Sequence, residues 1–417
     1  MTPDNDRAIL QSINELLERY ERFGIHLGLE TSHQLLAALG NPHQRTPIIH
    51  VAGTNGKGSV CAYLSSVLTA AGYRVGRYTS PHLVDWTERI CINQQPIAAE
   101  LLYEALQRVE AAVTEPTPTQ FEVITAAAWC CFESVDIAII EVGLGGRLDA
   151  TNVCDASLVS VITSISRDHW QRLGPTLADI AYEKAGILKQ DGAAVVGPLP
   201  EEAESVVRQR ISELNCMAQW PQPAVLLAQS AHQQTVTAAG MTYDLSLPGD
   251  VQLVNSGVAI ATLQVRRQQG WDIADDAITT GMATATWPGR LQWTQWQVQP
   301  LLLDGAHNEA AARALRQYVE RLELPVDWLI GMLSTKDHTA VLTALLRSGD
   351  RLSLVPVPGH SSTDLHQLAA LALDICPRLK QCQIYPDLAT GLQSFSVGTN
   401  VLCGSLYLVG QFLAQAS

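Results

Sequence analysis

The feature that most constrains this chain is the run from Pro47 to Ser59. Pro47-Ile48-Ile49-His50-Val51-Ala52 reads as a buried strand, Gly53-Thr54-Asn55-Gly56-Lys57-Gly58-Ser59 as a glycine-rich turn, and the apolar-periodic stretch 60–71, closed by Gly72, as a helix. A strand that enters a helix through such a turn aims backbone N–H groups from a helix N-terminus, where the dipole favours anions. Lys57 adds a charge for terminal phosphates and Ser59 a hydroxyl. The run is a P-loop with two departures. Val51 stands where the strict pattern has its first glycine, and Gly58 where a hydroxyl follows the lysine. An ordinary β-to-α turn is the plain alternative; lysine after glycine between strand and helix favours nucleotide binding.

The same rhythm continues downstream. Short apolar runs at 75–78, 136–142 and 158–163 alternate with helical patterns at 98–113, 121–132 and 176–188, which predicts a mostly parallel α/β sheet. Ile9, Leu10, Ile13, Leu16, Leu17 and Tyr20 predict a first helix over 8–22. Residues 223–247 read as a hairpin-type edge, followed by helices at 251–269 and 274–284. Trp287-Pro288-Gly289-Arg290-Leu291-Gln292 then breaks the periodicity, and a second α/β rhythm begins at Pro300. The expected fold is α/β throughout: a P-loop parallel-sheet ATPase domain over 1–290, a linker over 291–296, and a smaller Rossmann-like domain over 297–417.

Charge excludes some partners. With 27 Lys plus Arg against 41 Asp plus Glu, the net charge of −14 has the wrong sign for a nucleic-acid or anionic-membrane surface, so any anionic ligand needs local donors. Residues 1–10 carry Asp4 and Asp6 without the apolar centre of a signal peptide, and no apolar run approaches ~18 residues, so a cytoplasmic protein is expected. Nine cysteines without a C-x-x-C pair argue against a disulfide framework or structural zinc.

Further residues could carry chemistry. Glu141 ends the apolar strand at 136–140, where a carboxylate leaving a sheet edge could hold Mg²⁺. After it, Gly143 to Asn152 imitates a dinucleotide fingerprint but fails at Leu148; its glycines allow close approach, and Arg147 and Asp149 could bind a substrate or form a surface turn with a salt bridge. Asp168-His169 follows the strand at 158–163. Lys184 lies on a helix, where composition alone gives it no role. Asp304 and His307 end an apolar strand, and Asn308 is a natural N-cap.

These segments, together with Ser80-Pro81-His82-Leu83, Phe121-Glu122-Val123-Ile124-Thr125-Ala126, Glu183-Lys184-Ala185-Gly186 and Gly404-Ser405-Leu406-Tyr407-Leu408-Val409-Gly410, resemble the folylpolyglutamate synthase and dihydrofolate synthase family, cousins of the Mur peptidoglycan ligases. The matches span nearly the whole chain in the family's order.

The resemblance implies a monomeric two-domain ligase joining L-glutamate to dihydropteroate and to reduced folates, through an acyl phosphate, with release of ADP. It implies that Thr54, Asn55, Gly56, Lys57, Gly58 and Ser59 cradle ATP, which Asn255, Arg290 and Asp304 also touch. Ser80, Glu141 and His169 would bind Mg²⁺, two ions in all. Thr119, Gln120, Phe121 and Glu122, with Leu148, Asp149 and Ala150, would hold the pteroate end. Lys57, Lys184 and His307 would be catalytic, with Lys184 carbamylated. Departures stand at Glu309, where the family commonly has Pro, at Arg167 and Trp170, and at Asp250-Val251. Alternatives are folylpolyglutamate synthesis alone, another Mur-type ligase, which Phe121-Glu122-Val123-Ile124-Thr125 disfavours, and a nucleotide switch, against which no Asn-Lys-x-Asp guanine motif occurs.

Overall fold

The computed structural model describes residues 3–21, 28–229, 233–322, 325–359, 361–395 and 398–416. Its first sheet comprises β1 (Ile48–Ala52), β2 (Val75–Tyr78), β3 (Ile90–Ile92), β4 (Gln95–Pro96), β5 (Ile137–Glu141), β6 (Val159–Ile162), β7 (Ala193–Val196) and β8 (Met217–Gln219). The order is β4-β3-β2-β5-β1-β6-β7-β8, and pairing is parallel except along the β2-β3-β4 edge. Strand β1 is internal, and all five of its residues are buried, as a strand covered on both faces requires. Shielding Ile49 and Val51 completely contributes about 1.5–3 kcal/mol each.

The helix Lys57–Ala70 begins three residues before the expected Val60 and is buried from Ser59 to Leu68. Helices Val251–Gln268 and Asp275–Thr284 pack on it. A second core joins Ile13, Leu16 and Leu17 of helix Pro3–Glu21 to helices Ala99–Ala111 and Gln120–Cys131. Residue 22 of the expected first helix lies outside the described residues. The β-rich stretch is a separate antiparallel sheet rather than an edge: β9 (Val225–Gln229), β10 (Gln234–Ala238) and β11 (Met241–Leu245), with β10 central.

The last sheet comprises β12 (Gln292–Trp296), β13 (Gln299–Leu303), β14 (Val326–Ile330), β15 (Arg351–Leu354), β16 (Gln381–Ile384) and β17 (Thr399–Cys403), in the order β12-β13-β17-β14-β15-β16. Only β12 runs antiparallel to its neighbour. Strand β12 corrects the expected linker at 291–296. Residues 292–296 alternate half-buried and exposed, and Gln297 at φ 56° turns the chain into β13, so the segment is an amphipathic edge strand. The irregular stretch between the sheets is 285–291.

Strand ends then place the chemistry. In the first sheet β2 leads to Ser80, β5 ends on Glu141, β1 leads to Gly53, and β6 leads to Ser164 and Asp168. In the last, β13 leads to Asp304, β17 to Gly404 and β14 to Leu333. Ligands of α/β sheets bind at such carboxyl ends.

Candidate active site

The phosphate loop is shaped for backbone contacts. Gly56, at φ 86°, occupies the N-cap of helix Lys57–Ala70, and no side chain caps it, which leaves the first-turn amides for a ligand. Gly58, the departure from the strict pattern, has a physical reason: a Cβ there would sit 2.3 Å from the Trp287 indole. Trp287 closes over the helix start where a larger residue would stand.

Two cavities meet beside this loop. One, of about 450 Å³, is lined by Thr54, Asn55, Gly56, Lys57, Gly58, Ser59, Asn255, Arg290 and Asp304, and also by Ser80, Glu141, His169, Lys184 and His307. The other, of about 430 Å³, is lined by Thr119, Gln120, Phe121, Glu122, Leu148, Asp149 and Ala150. Ser80, Pro81, Gly143, Leu144, His169, His307 and Leu406 line both. Thus every residue that the family resemblance singled out for nucleotide, metal or pteroate lines one of two adjoining spaces. Arg147 lines neither; its guanidinium gives two hydrogen bonds to Glu183 Oε1, the salt-bridged turn. Thr119 and Glu122 line the second cavity but are spent largely on structure. The Thr119 N–H and hydroxyl both donate to Glu122 Oε2, in a capping box that starts helix Gln120–Cys131.

Charge is concentrated where the cavities join. Glu141 is buried; its Oε2 accepts the Ser80 N–H at 3.3 Å, and Lys57 Nζ lies 3.8 Å from its Oε1. Burial raises its pKa, against the pull of Lys57. His169, in the left-handed region at φ 50°, keeps 49% of its side chain exposed at the cavity rim; desolvation against the cleft lowers its pKa from an ordinary value already below 7, so near pH 7 the imidazole is mostly neutral and can offer a lone pair. A hydroxyl, a carboxylate and a neutral imidazole fit a divalent cation. Among the described residues no group of three or more His, Cys, Asp and Glu forms a ready cluster, so the Ser80 hydroxyl and ligand oxygens would have to complete this one. Lys184 is 5% exposed and donates to Gly53 O at 2.8 Å; burial, then the Lys57 charge, lowers its pKa to about 7.

The sequence reading missed how the two halves grip each other. Asp168 Oδ1 accepts from Lys336 Nζ at 3.0 Å, its Oδ2 accepts from Asn308 Nδ2 at 3.1 Å, and His307 Nε2 lies 3.4 Å from Oδ2. Asn55 of the phosphate loop and Asn308 exchange amide hydrogen bonds of 3.2 and 3.1 Å. Burial raises the Asp168 pKa, but His307, Lys336 and His169 outweigh it and hold the carboxyl well below the usual carboxylate range. Lys336→Met leaves that carboxylate without its cation and is expected to destabilise the protein by about 3–5 kcal/mol, with Asp168→Asn in the same chain recovering most of it. Calorimetric unfolding of the single and double variants checks this; unchanged unfolding of Lys336→Met would remove the ion pair from the account.

Comparison with known proteins places this architecture. The Mur ligase middle domain matches residues 51–263, and the dihydrofolate synthetase C-terminal domain matches residues 290–415. Dihydrofolate synthetase of Saccharomyces cerevisiae is 35% identical over 93% of this chain and 97% of its own length. The chain belongs to the dihydrofolate synthase and folylpolyglutamate synthase family. Within it, folylpolyglutamate synthase of Mycobacterium tuberculosis, solved with ADP and AMPPCP, superposes with a TM-score of 0.87 at 29% identity, covering 98% of both chains. A bifunctional folylpolyglutamate synthase/dihydrofolate synthase from Yersinia pestis, solved with AMPPNP and a Mn ion, gives 0.85 at 32%, again covering 98% of both. Like other members, this family chain is an ATP-dependent ligase of two-domain Mur architecture.

Proposed function

We propose that this enzyme couples ATP cleavage to the joining of L-glutamate to folates, accepting both dihydropteroate and the γ-carboxylate of reduced folates. The single observation that carries the reading is the meeting of the two cavities: a carboxylate in the second can lie against the terminal phosphate in the first. A carboxylate and an amine do not condense in water until the carboxylate is activated. Here its oxygen attacks the γ-phosphorus, ADP leaves, and the glutamate amine displaces phosphate from the acyl phosphate. The protein positions and neutralises, and no side-chain nucleophile is required.

Each residue has a part in that reading. Lys57 and the amides of 56–59 bear the phosphates, the N–H groups of Thr54 and Asn55 being spent on the Ser164 carbonyl and hydroxyl; Asn255, Arg290 and Asp304 hold the rest of the nucleotide, and Phe121, Leu148, Asp149 and Ala150 wall the pteroate. Ser80, Glu141 and His169 would hold Mg²⁺, which supplies charge neutralisation on the transferring phosphoryl group. Lys184 has the properties a carbamate site needs: an amine partly neutral near pH 7, buried beside the phosphate loop. As a carbamate it would give a second Mg²⁺ an oxygen ligand. His307, on the rim that both cavities share, would orient the acceptor. We divide the chain into domains that meet at 285–291, and assign it as a cytoplasmic monomer, because one chain builds both cavities and its nine cysteines are free thiols, as a reducing compartment allows. Among the described residues no helix is long and apolar enough to cross a membrane.

The test offers ATP, Mg²⁺ and glutamate with dihydropteroate or tetrahydrofolate and weighs the products. One glutamyl unit on each acceptor, with matching ADP, is the expected result; an inert dihydropteroate would leave polyglutamation alone.

A further inference from the structure

His50 sits in the middle of β1, fully buried, between Ile140 of β5 and Ser160 of β6. A histidine in the centre of an apolar sheet is costly unless it is hydrogen-bonded. Its Nε2 lies 2.9 Å from Thr151 Oγ1, while its Nδ1 is buried without a partner. The Thr151 hydroxyl donates to Asp149 Oδ1 at 2.5 Å, and that oxygen also accepts the Thr151 N–H at 3.1 Å. The other carboxylate oxygen, Oδ2, accepts the Leu144 N–H at 2.8 Å.

Proton accounting fixes the direction. A threonine hydroxyl carries one proton, and here it goes to the carboxylate, so the imidazole must donate its own Nε2–H and leave Nδ1 as a bare lone pair. The opposite tautomer would bury an unpaired N–H and require a protonated Asp149; burial raises that carboxyl's pKa, but the Thr151 hydroxyl and the backbone N–H groups of Leu144 and Thr151 oppose the rise and favour the carboxylate. Burial holds the ring neutral, its pKa down to about 3.

We infer that His50 is a positioning residue: through Thr151 it fixes the Asp149 carboxylate and the turn 143–149, and so the wall of the acceptor cavity, to the strand that ends in the phosphate loop. Leu144, tied to Asp149, lines both cavities, so a slack chain would loosen the acceptor seat while β1 keeps the phosphate loop in place. The inference rests on the reading of Asp149 as part of the acceptor site.

Steady-state kinetics on the full chain tests it. His50→Leu is expected to raise KM for the folate acceptor about tenfold, with KM for ATP and kcat within about twofold. His50→Gln, whose amide N–H can still reach Thr151, should stay within about threefold of the parent. Thr151→Val should match His50→Leu, and the double variant should be no worse than either, because all three break one chain. Should His50→Leu fail to fold, Thr151→Val and His50→Gln carry the comparison. Equal losses for ATP and acceptor, additive losses in the double variant, or no rescue by Gln would overturn the inference. Asp149→Asn separates the two levels. If it leaves acceptor KM unchanged, the reading of Asp149 is wrong; if it raises acceptor KM while His50→Leu does not, the positioning role alone falls.

Discussion

Lys57→Ala should lower turnover by about 10²–10³-fold while ADP still binds. The ammonium stands in the first turn of helix Lys57–Ala70, 3.3 Å from Thr54 O and 3.8 Å from Glu141, where the proposed reading puts the growing charge of the terminal phosphate. The loop amides survive the substitution and keep the nucleotide in place, so binding and turnover separate. There is a second effect. Glu141 loses the nearest cation opposing its desolvation, so its pKa rises further and the acid limb of the rate profile moves to higher pH. Calorimetric ADP binding and a kcat profile against pH check both parts. Near-normal kcat would show that the loop is not the catalytic phosphate cradle.

Lys184→Ala should cost a comparable factor, about 10²–10³-fold, with the fold intact, because helix Leu177–Ala185 accepts alanine readily. Carbamylation needs the neutral amine as nucleophile: nitrogen bonds to the carbon of CO₂ and loses a proton. With the pKa near 7, that form grows as pH rises through neutrality, so activation by bicarbonate should strengthen above pH 7 and fade below it. The sign for stability follows from the same shift. Between about 7 and the ordinary lysine value of 10.5 the unfolded chain binds the extra proton, so this residue's contribution makes the fold more stable as pH rises there. The alanine variant lacks that slope. Acetate in trans should partly restore Lys184→Ala but not Lys184→Arg, whose guanidinium would repel a cation. Full activity of the alanine variant without added carboxylate would remove the modification from the mechanism.

What could be read from the sequence was local. The phosphate loop, its flanking strand and helix, and the carboxylates at strand ends each carry their signal within about ten residues. Helix Glu201–Glu213 escaped although Ala203, Val206, Val207 and Ile211 repeat at helical spacing and pack on the core, because Glu201, Glu202, Glu204, Arg208, Arg210 and Glu213 make the stretch read as a charged surface segment. Strand β12 reads as linker in the sequence because Pro288 and Gly289 precede a polar alternation of Gln, Trp and Thr, typical of an edge with one face in water. The grip of Lys336 on Asp168 spans 168 positions, and nothing near either residue announces the other. His50 was equally hidden, since one histidine in an apolar strand looks the same whether it is a spacer or an anchor. The resemblance to a known family supplied what spacing could not: that residues far apart, from Ser80 to Asp304, share one site.

The rim common to the two cavities has a thermodynamic meaning. Because His169, His307 and Leu144 each face both spaces, a molecule seated in one space alters the surface the other presents. With nucleotide and pteroate in these spaces as proposed, any coupling between the two is reciprocal: whatever factor a non-hydrolysable nucleotide adds to the affinity for the pteroate, the pteroate must add to the affinity for the nucleotide. On that reading the shared wall is where the two affinities would be coupled, and binding of each substrate measured with and without the other reads the factor twice.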